Sequence, residues 1–179
     1  MNIRVVIILY ILLISFQKSY IGWLPAIPVY PDSKRESKLV LEQMTHNQLF
    51  RETDQNVAVA FIDVLQGEDP RMIEWVSHQE DARILFLKYL FNRPRPHQVN
   101  PDIIPAKSET ADTPSYPSGH SYQAFLVARE YSRRYPHLRD KLYIIAEKCG
   151  RARIDAGLHY PSDHEFSRWL VVPGEVSRI

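Results

Sequence analysis

The densest chemistry in the chain lies in the tetrapeptide Pro117-Ser118-Gly119-His120. It follows a polar loop rich in Pro, Ser and Thr at residues 105–116 and precedes a segment, residues 122–131, with helical periodicity. The first N–H groups of a helix point outward unpaired and the helix dipole favours negative charge there, so a small residue, a glycine and a histidine at a helix mouth suit an anion. Gly119 lets backbone approach a ligand closely, and Pro117 stands where its missing N–H costs little. The plainer reading makes Ser118 an N-cap and His120 a surface residue. The surroundings weigh against it: Lys88 and then Arg95-Pro96 lie upstream, and Arg153, His159 and Asp163 lie downstream. A chance Pro-Ser-Gly-His has odds on the order of one in a thousand for a chain of this length, before the flanking spacings are counted.

These residues form a phosphate-handling set. Lys88, Arg95 and Arg153 can surround non-bridging phosphoryl oxygens, Arg with planar forked donors and Lys with a point charge. Phosphoryl transfer needs positioning and charge neutralisation above all. Lys88 is set in the apolar run Leu85-Phe86-Leu87-Lys88-Tyr89-Leu90-Phe91, where a charge requires a partner or a ligand. Arg93, Arg129, Arg133, Arg134 and Arg139 read instead as solvated surface cations. His159 and Asp163 stand at i and i+4, so one helix including both brings them together. A carboxylate on one imidazole nitrogen fixes the tautomer and leaves the other free to attack. A capping Asp beside a satisfied His is the structural alternative. His120 has no carboxylate at such a spacing and suits a proton carrier, acid first and then base. A metal is not expected: His-x-x-x-Asp alone is weak ligand evidence, no second pair has ligand spacing, and three cations would repel a divalent ion.

The elements that must position these groups read as helices. Residues 36–52 suit a helix with a polar face and residues 56–65 a second, more apolar one. A third starts at Asp69-Pro70, with Asp as N-cap and Pro at the first helical position, and runs to Phe91, where Arg93-Pro94-Arg95-Pro96 stops it. Residues 97–116 form a long loop, a length that in a compact domain is usually functional. Further helices run from near Ser118 to Tyr135-Pro136, from about Leu138 to Ala156 with Gly157 ending it, and from Pro161 through Trp169. Strand signals are absent, so the expected fold is all-α in a single domain.

The chain has 179 residues with 22 Lys and Arg against 21 Asp and Glu, so its near-neutral charge gives no support to a nucleic-acid partner. Cys149 is the sole cysteine, which excludes an intramolecular disulfide, and it reads as a small helix residue. Arg4 followed by the apolar run at residues 5–16 is short for a membrane span and suits a signal-peptide core or an anchor. The organisation read from these signals is a signal peptide or N-terminal anchor at 1–19, a linker at 20–35, a helical domain at 36–172 and a tail at 173–179. The chain is accordingly expected to be exported, with the retained segment 5–16 contacting a membrane if it is not cleaved.

At these residues the sequence resembles the type 2 phosphatidic acid phosphatase superfamily, which includes class A bacterial acid phosphatases and vanadium haloperoxidases. The three-part signature reads here as Lys88, six residues, Arg95-Pro96; Pro117-Ser118-Gly119-His120; and Ala152-Arg153, five residues, His159, three residues, Asp163. The resemblance spans about residues 70–170 and implies a helical bundle of the acid phosphatase and vanadium haloperoxidase type that works without a metal. It implies that His159 forms a phosphohistidine, Asp163 orients it, and His120 protonates the leaving alkoxide and then activates water. Lys88, Arg95, Arg153, the Ser118 hydroxyl and the Gly119 amide would bind phosphate. Two departures stand out: Ala152 replaces the family's usual Ser, removing a hydrogen bond that would support the pocket, and the stretch His164-Glu165-Phe166-Ser167 lacks the family's common glycine.

Arg93-Pro94-Arg95-Pro96 and Ser115 through His120 look most like the soluble acid phosphatases, so the expected substrate is a small phosphomonoester and the expected cofactor none. A lipid phosphate phosphatase at a membrane surface is the second reading. A haloperoxidase, in which vanadate would be the cofactor rather than an inhibitor, is the third, and a non-catalytic phosphate-binding protein is the fourth.

Overall fold

The structure, a computed structural model, describes residues 30–45 and 47–173; the segment read as signal or anchor, the linker up to residue 29 and the tail from residue 174 lie outside the described residues. In chain order the elements are α1 (Ser33–Gln43), α2 (Gln48–Thr53), a 3-10 turn (Val57–Phe61), α3 (Pro70–His78), α4 (Asp81–Phe91), α5 (Pro96–Val99), α6 (Gly119–Arg134), a second 3-10 turn (Pro136–Leu138), α7 (Arg139–Asp155) and α8 (Pro161–Val171). Among the described residues there is no strand, and the fold is all-α. No helix among them is long and apolar enough to cross a membrane.

Helix α6 is the axis. It packs against α7 most extensively and also against α8, α3, α4 and the first 3-10 turn. Its residues Tyr122, Ala124, Phe125, Leu126, Val127, Ala128 and Tyr131 are buried on several sides, the pattern of a helix enclosed by others rather than lying on a surface. Around them gather Phe61 and Leu65, Ile73 of α3, Ile84 of α4, Leu142, Ala146 and Cys149 of α7, and Val171 of α8. Burial also pushes the Cys149 thiol up to about 12, so it stays an inert packing group. Two small clusters, Val40 with Ile103, Ile154 and Tyr160, and Phe50 with Ala152, Ala156 and Leu158, fix the end of α7 and the connection to α8 against α1, α2 and the long loop.

Local chemistry explains the boundaries. Asp69 caps α3, its carboxylate accepting from Arg71 N at 2.9 Å with Pro70 in the first turn, as its dipeptide predicts. α4 ends at Asn92, which takes the left-handed conformation at φ 46° and donates its N–H to Lys88 O at 2.8 Å. Gly157 at φ 73° ends the turn after α7, and a Cβ there would lie 3.0 Å from Met44 Cε, so both backbone and packing favour glycine.

Several expected boundaries are revised. The first helix begins at Ser33, inside the stretch read as linker, because Asp32 caps it by accepting from Arg35 N at 2.8 Å. The helix expected over 36–52 is two helices; the intervening turn is tied to α7 by Thr45 N to Asp155 O at 3.0 Å and Asn47 Nδ2 to Asp155 Oδ2 at 2.8 Å. The segment 56–65 forms a 3-10 turn over five residues rather than an α-helix. The helix expected from Pro70 to Phe91 breaks between α3 and α4, where His78 Nδ1 meets Asp81 Oδ2 at 2.7 Å. Both pieces bury apolar faces on α6, so the hydrophobic pattern runs across the break and conceals it. The loop expected from residue 97 opens with one more helical turn, α5, because Pro96 suits a first helical position.

Leu142, fully buried against α6, should cost about 2–5 kcal/mol on Leu142→Ala, whereas Leu85→Ala at an exposed site of α4 should stay within about 0.5 kcal/mol. Urea unfolding of the two variants beside the parent chain measures both.

Candidate active site

The site starts from Arg93. The sequence places it among solvated cations, but the side chain is fully buried. Its five N–H donors all find acceptors: Nη1 donates to Asp163 Oδ1 at 2.6 Å and Ser162 Oγ at 2.7 Å, Nη2 to Glu36 Oε2 at 2.6 Å and Pro31 O at 3.2 Å, and Nε to Ser33 Oγ at 3.1 Å. The guanidinium lies 3.8 Å from the Tyr160 ring centre and 4.6 Å from that of Tyr30. This buried cation is what allows a carboxylate to be buried beside it. Asp163 Oδ2 in turn accepts from Tyr160 N at 2.9 Å, from Ser115 Oγ, and from His159 Nδ1 at 3.0 Å. Burial alone would raise the Asp163 carboxyl, but the His159 bond, the Arg93 charge and the Ser115 bond hold it well below the usual carboxylate range.

His159 is not on the helix with Asp163, as the i, i+4 spacing suggests. α8 begins at Pro161, so the histidine stands two residues before it and the carboxylate reaches back from the first turn, closing a capping box on Tyr160 N. With Nδ1 bound to Asp163, the ring turns Nε2 toward Arg95, whose Nη1 lies 3.4 Å away.

Lys88, Arg95 and Arg153 close the site from three elements. Lys88, in the last turn of α4, donates Nζ to Pro114 O at 2.7 Å. Arg95 donates to Thr113 O and Leu158 O, both at 2.9 Å. Arg153, in the last turn of α7, holds Asp54 Oδ1 at 2.5 Å through Nη1 and reaches Ser108 Oγ at 3.1 Å through Nη2. Its Nε is buried without a partner, a donor left for a ligand. Ser118 caps α6 and is tied to α8 by its N–H to Asp163 O at 3.2 Å. A Cβ on Gly119 would lie 3.7 Å from Lys88 Cε, an ordinary contact, so protein atoms do not demand glycine there, and the residue stands beside the lysine side chain. His120 is buried rather than at the surface, and its Nε2 donates to Asp54 O at 2.8 Å, leaving Nδ1 as its other ring nitrogen. All eight residues singled out in the sequence therefore meet in one place.

The cations share a low-dielectric space and act on one another. Burial first, then the charges of Arg95 and Arg153, holds Lys88 well below the usual ammonium range, with Asp163 opposing. Burial and the Arg153 charge bring Arg95 down to about 10. His159 is held well below the usual imidazole range by burial, with Arg95 and Lys88 adding and the Asp163 bond opposing, so its free nitrogen carries a lone pair at neutral pH. His120 is held at about 3 by burial and Arg153, against the Asp54 carbonyl. A cluster of strained cations around an unprotonated imidazole is a site that an oxyanion would relieve.

Sequence reasoning missed four contributors. Arg93 and Ser115 lie within the signature region, but nothing in their spacing marks them; the alternation Arg93-Pro94-Arg95-Pro96 was the one available hint. Glu36 and Asp54 come from α1 and from the end of α2, more than thirty residues before Lys88, and no local pattern links them to the site. Ala152 is fully buried against Phe50, Ala156 and Leu158, so apolar contact occupies the position where the resemblance expects a serine hydroxyl. In the stretch that lacks the glycine, the Ser167 hydroxyl shares its proton between Asp163 O at 2.7 Å and Ser118 O at 2.9 Å.

A family profile described as PAP2 superfamily matches residues 81–171, just over half of the chain, and includes all eight signature residues. The chain belongs to the PAP2 superfamily, which supports a phosphatase-type activity in general terms. No curated protein matches the chain.

Removing Arg93 would leave Asp163 and Glu36 buried without their cation. Arg93→Met should lower stability by about 3–5 kcal/mol, whereas Arg134→Met, at an exposed ion pair with Glu68, should change it by less than about 1 kcal/mol. Chemical denaturation measures the pair.

His120 and His159 set an acid limb of stability. Their folded pKa values lie below the unfolded value near 6.5, so the unfolded chain binds more protons, and stability falls as pH drops below about 6.5. Each contributes up to about 1.4 kcal/mol per pH unit. Urea midpoints at pH 7, 6 and 5 should fall steadily, and His120→Gln should remove about half of that slope; a flat profile contradicts the depressed values.

Proposed function

We propose that the chain hydrolyses phosphomonoesters through a phosphohistidine at His159, without a metal. The observation that carries the reading is the fixed ring of His159, with Nδ1 at 3.0 Å from Asp163 Oδ2 and Nε2 turned to the cations. The Nε2 lone pair attacks phosphorus and forms the N–P bond as the P–O ester bond breaks. Lys88, Arg95, Arg153 Nε, the Ser118 hydroxyl and the Gly119 amide receive the non-bridging oxygens. His120 Nδ1 gives its proton to the leaving oxygen, then takes one from the water whose oxygen displaces Nε2 and releases orthophosphate. A bound dianion offsets the cations that hold His120 down, so protonation of His120 accompanies substrate binding. Vanadate would occupy the same pocket as an inhibitor, and the cations around Nε2 disfavour a divalent metal there. Export through the segment at residues 5–16 is part of the same reading.

A second reading, hydrolysis of a lipid phosphate at a membrane surface, draws on one observation. Leu85, Phe86 and Trp169 are exposed, and Phe166 stacks on Trp169 at 5.7 Å while meeting Phe91 at 5.9 Å, which gives an apolar face on α4 and α8. Orthophosphate release from a nitrophenyl phosphate, an alkyl phosphate and a lipid phosphate in vesicles, each with a chelator present, decides between them. The small esters should turn over in chelator, and His159→Ala should abolish the reaction and any acid-labile phosphoenzyme. His120→Ala should slow the alkyl ester far more than the nitrophenyl ester, whose leaving group needs no proton. Near-normal turnover by His159→Ala, or loss of activity in chelator restored by zinc or magnesium, contradicts the proposal.

A further inference from the structure

Behind the phosphate side of the site lies a second buried polar chain that the chemistry above does not use. His164, the residue after Asp163 on α8, is 3% exposed. Its Nδ1 lies 2.9 Å from Ser121 Oγ, and Ser121 Oγ lies 2.9 Å from Ser118 Oγ. On the other side of the ring, Nε2 lies 3.2 Å from Glu147 Oε1 of α7, within ion-pair distance though out of line for a directed hydrogen bond. The ring occupies space that only glycine allows: a Cβ on Gly150 would lie 1.9 Å from Nδ1. Three helices therefore converge on one imidazole, with Phe125 of α6 against its face at 5.6 Å.

The direction of the hydrogens in this chain decides what Ser118 can do. A hydroxyl has one proton. For Ser118 to donate to a phosphate oxygen, its neighbours must donate into it, and Ser121 Oγ is placed to do so. Ser121 has then committed its own proton and must accept from His164 Nδ1. That leaves Nε2 facing a carboxylate, a contact that is attractive only if Nε2 also carries a proton. With Nε2 protonated alone, the chain reverses: Ser121 donates to His164, and the Ser118 proton is drawn back toward Ser121. The charged and polar groups around the ring are Glu147 from α7, with Arg151 behind it at 3.7 Å, Arg168 on α8 acting on Glu147, and the Ser121 hydroxyl from α6. Burial raises the Glu147 carboxyl, but His164, Arg168 and Arg151 outweigh it and keep it ionised.

We propose that His164, set between Glu147 and Ser121, is a positioning residue that polarises the Ser121–Ser118 hydroxyl pair so that Ser118 presents its proton to the bound phosphate. The inference rests on the phosphate-binding reading of Ser118. It is tested with orthophosphate on the full chain. Calorimetric affinity should fall about tenfold in Glu147→Gln, the scale of one lost hydrogen bond to a charged group, with the unfolding temperature little changed. In a Ser118→Ala background the same substitution should have no effect beyond about twofold, because its route to the ligand is gone. Nitrogen NMR of the His164 ring should show a proton on Nδ1, the nitrogen facing Ser121, in the parent chain and a shift of that proton toward Nε2 in Glu147→Gln. Equal losses in the two backgrounds, no loss at all, or a His164 Nδ1 that carries no proton in the parent chain overturns the relay. A parent chain that binds no orthophosphate removes the proposed phosphate site and this inference together, whereas binding with uncoupled variants removes the inference alone.

Discussion

The structure depends on an arginine and an aspartate buried together. Arg93 and Asp163 meet at 2.6 Å with no solvent at either side chain. Two ions in a low-dielectric interior are tolerated only when every donor and lone pair is answered, and here Glu36, Ser33, Ser162, Ser115, Tyr160 and His159 supply the answers. The pair ties α1, the turn after α4 and the start of α8 to a single point. It also fixes the charge of Asp163, which fixes the tautomer of His159. The orientation of the His159 ring is thus a consequence of an ion pair one layer behind it.

The same packing concentrates positive charge. Lys88, Arg95 and Arg153 lie buried around His159 and His120, and each lowers the tendency of its neighbours to hold a proton. From outside the signature Asp54 meets them, pairing with Arg153 while its carbonyl accepts from His120. The arrangement crowds like charges into one low-dielectric space, a cost that an oxyanion among them would offset. This is the usual relation between a functional site and the fold around it: local electrostatic strain is held by cohesion elsewhere, here by α6 and the apolar cluster gathered on it.

Helix α6 links these two roles. Its buried middle supplies the core, and its first turn supplies Ser118, Gly119 and His120. A helix enclosed by neighbours cannot shift its N-terminus without moving α3, α7 and α8, so that end is held by the packing of the remaining length, about 19 Å. The substituted positions fit this frame. Ala152 adds to the apolar contact under α7, and Ser167 bonds α8 to the backbone of Ser118 and Asp163, so both departures are absorbed by packing close to the site.

The sequence by itself determined the helical class, the caps at Asp69 and Ser118, the ends of α6, α7 and α8, and the eight residues that gather at the site. These are encoded locally: periodicity, capping residues and fixed spacings within one stretch of chain depend on neighbours a few positions away. Tertiary structure alone decided the breaks between α1 and α2 and between α3 and α4, because both halves of each pair bury apolar residues and the pattern carries on across the break. It also decided that Arg93 is an interior ion rather than a surface one. The residues that neutralise it, Glu36 and Asp163, lie 57 and 70 positions away, and charge compensation over such separations leaves no periodic trace for a reader of the chain to find.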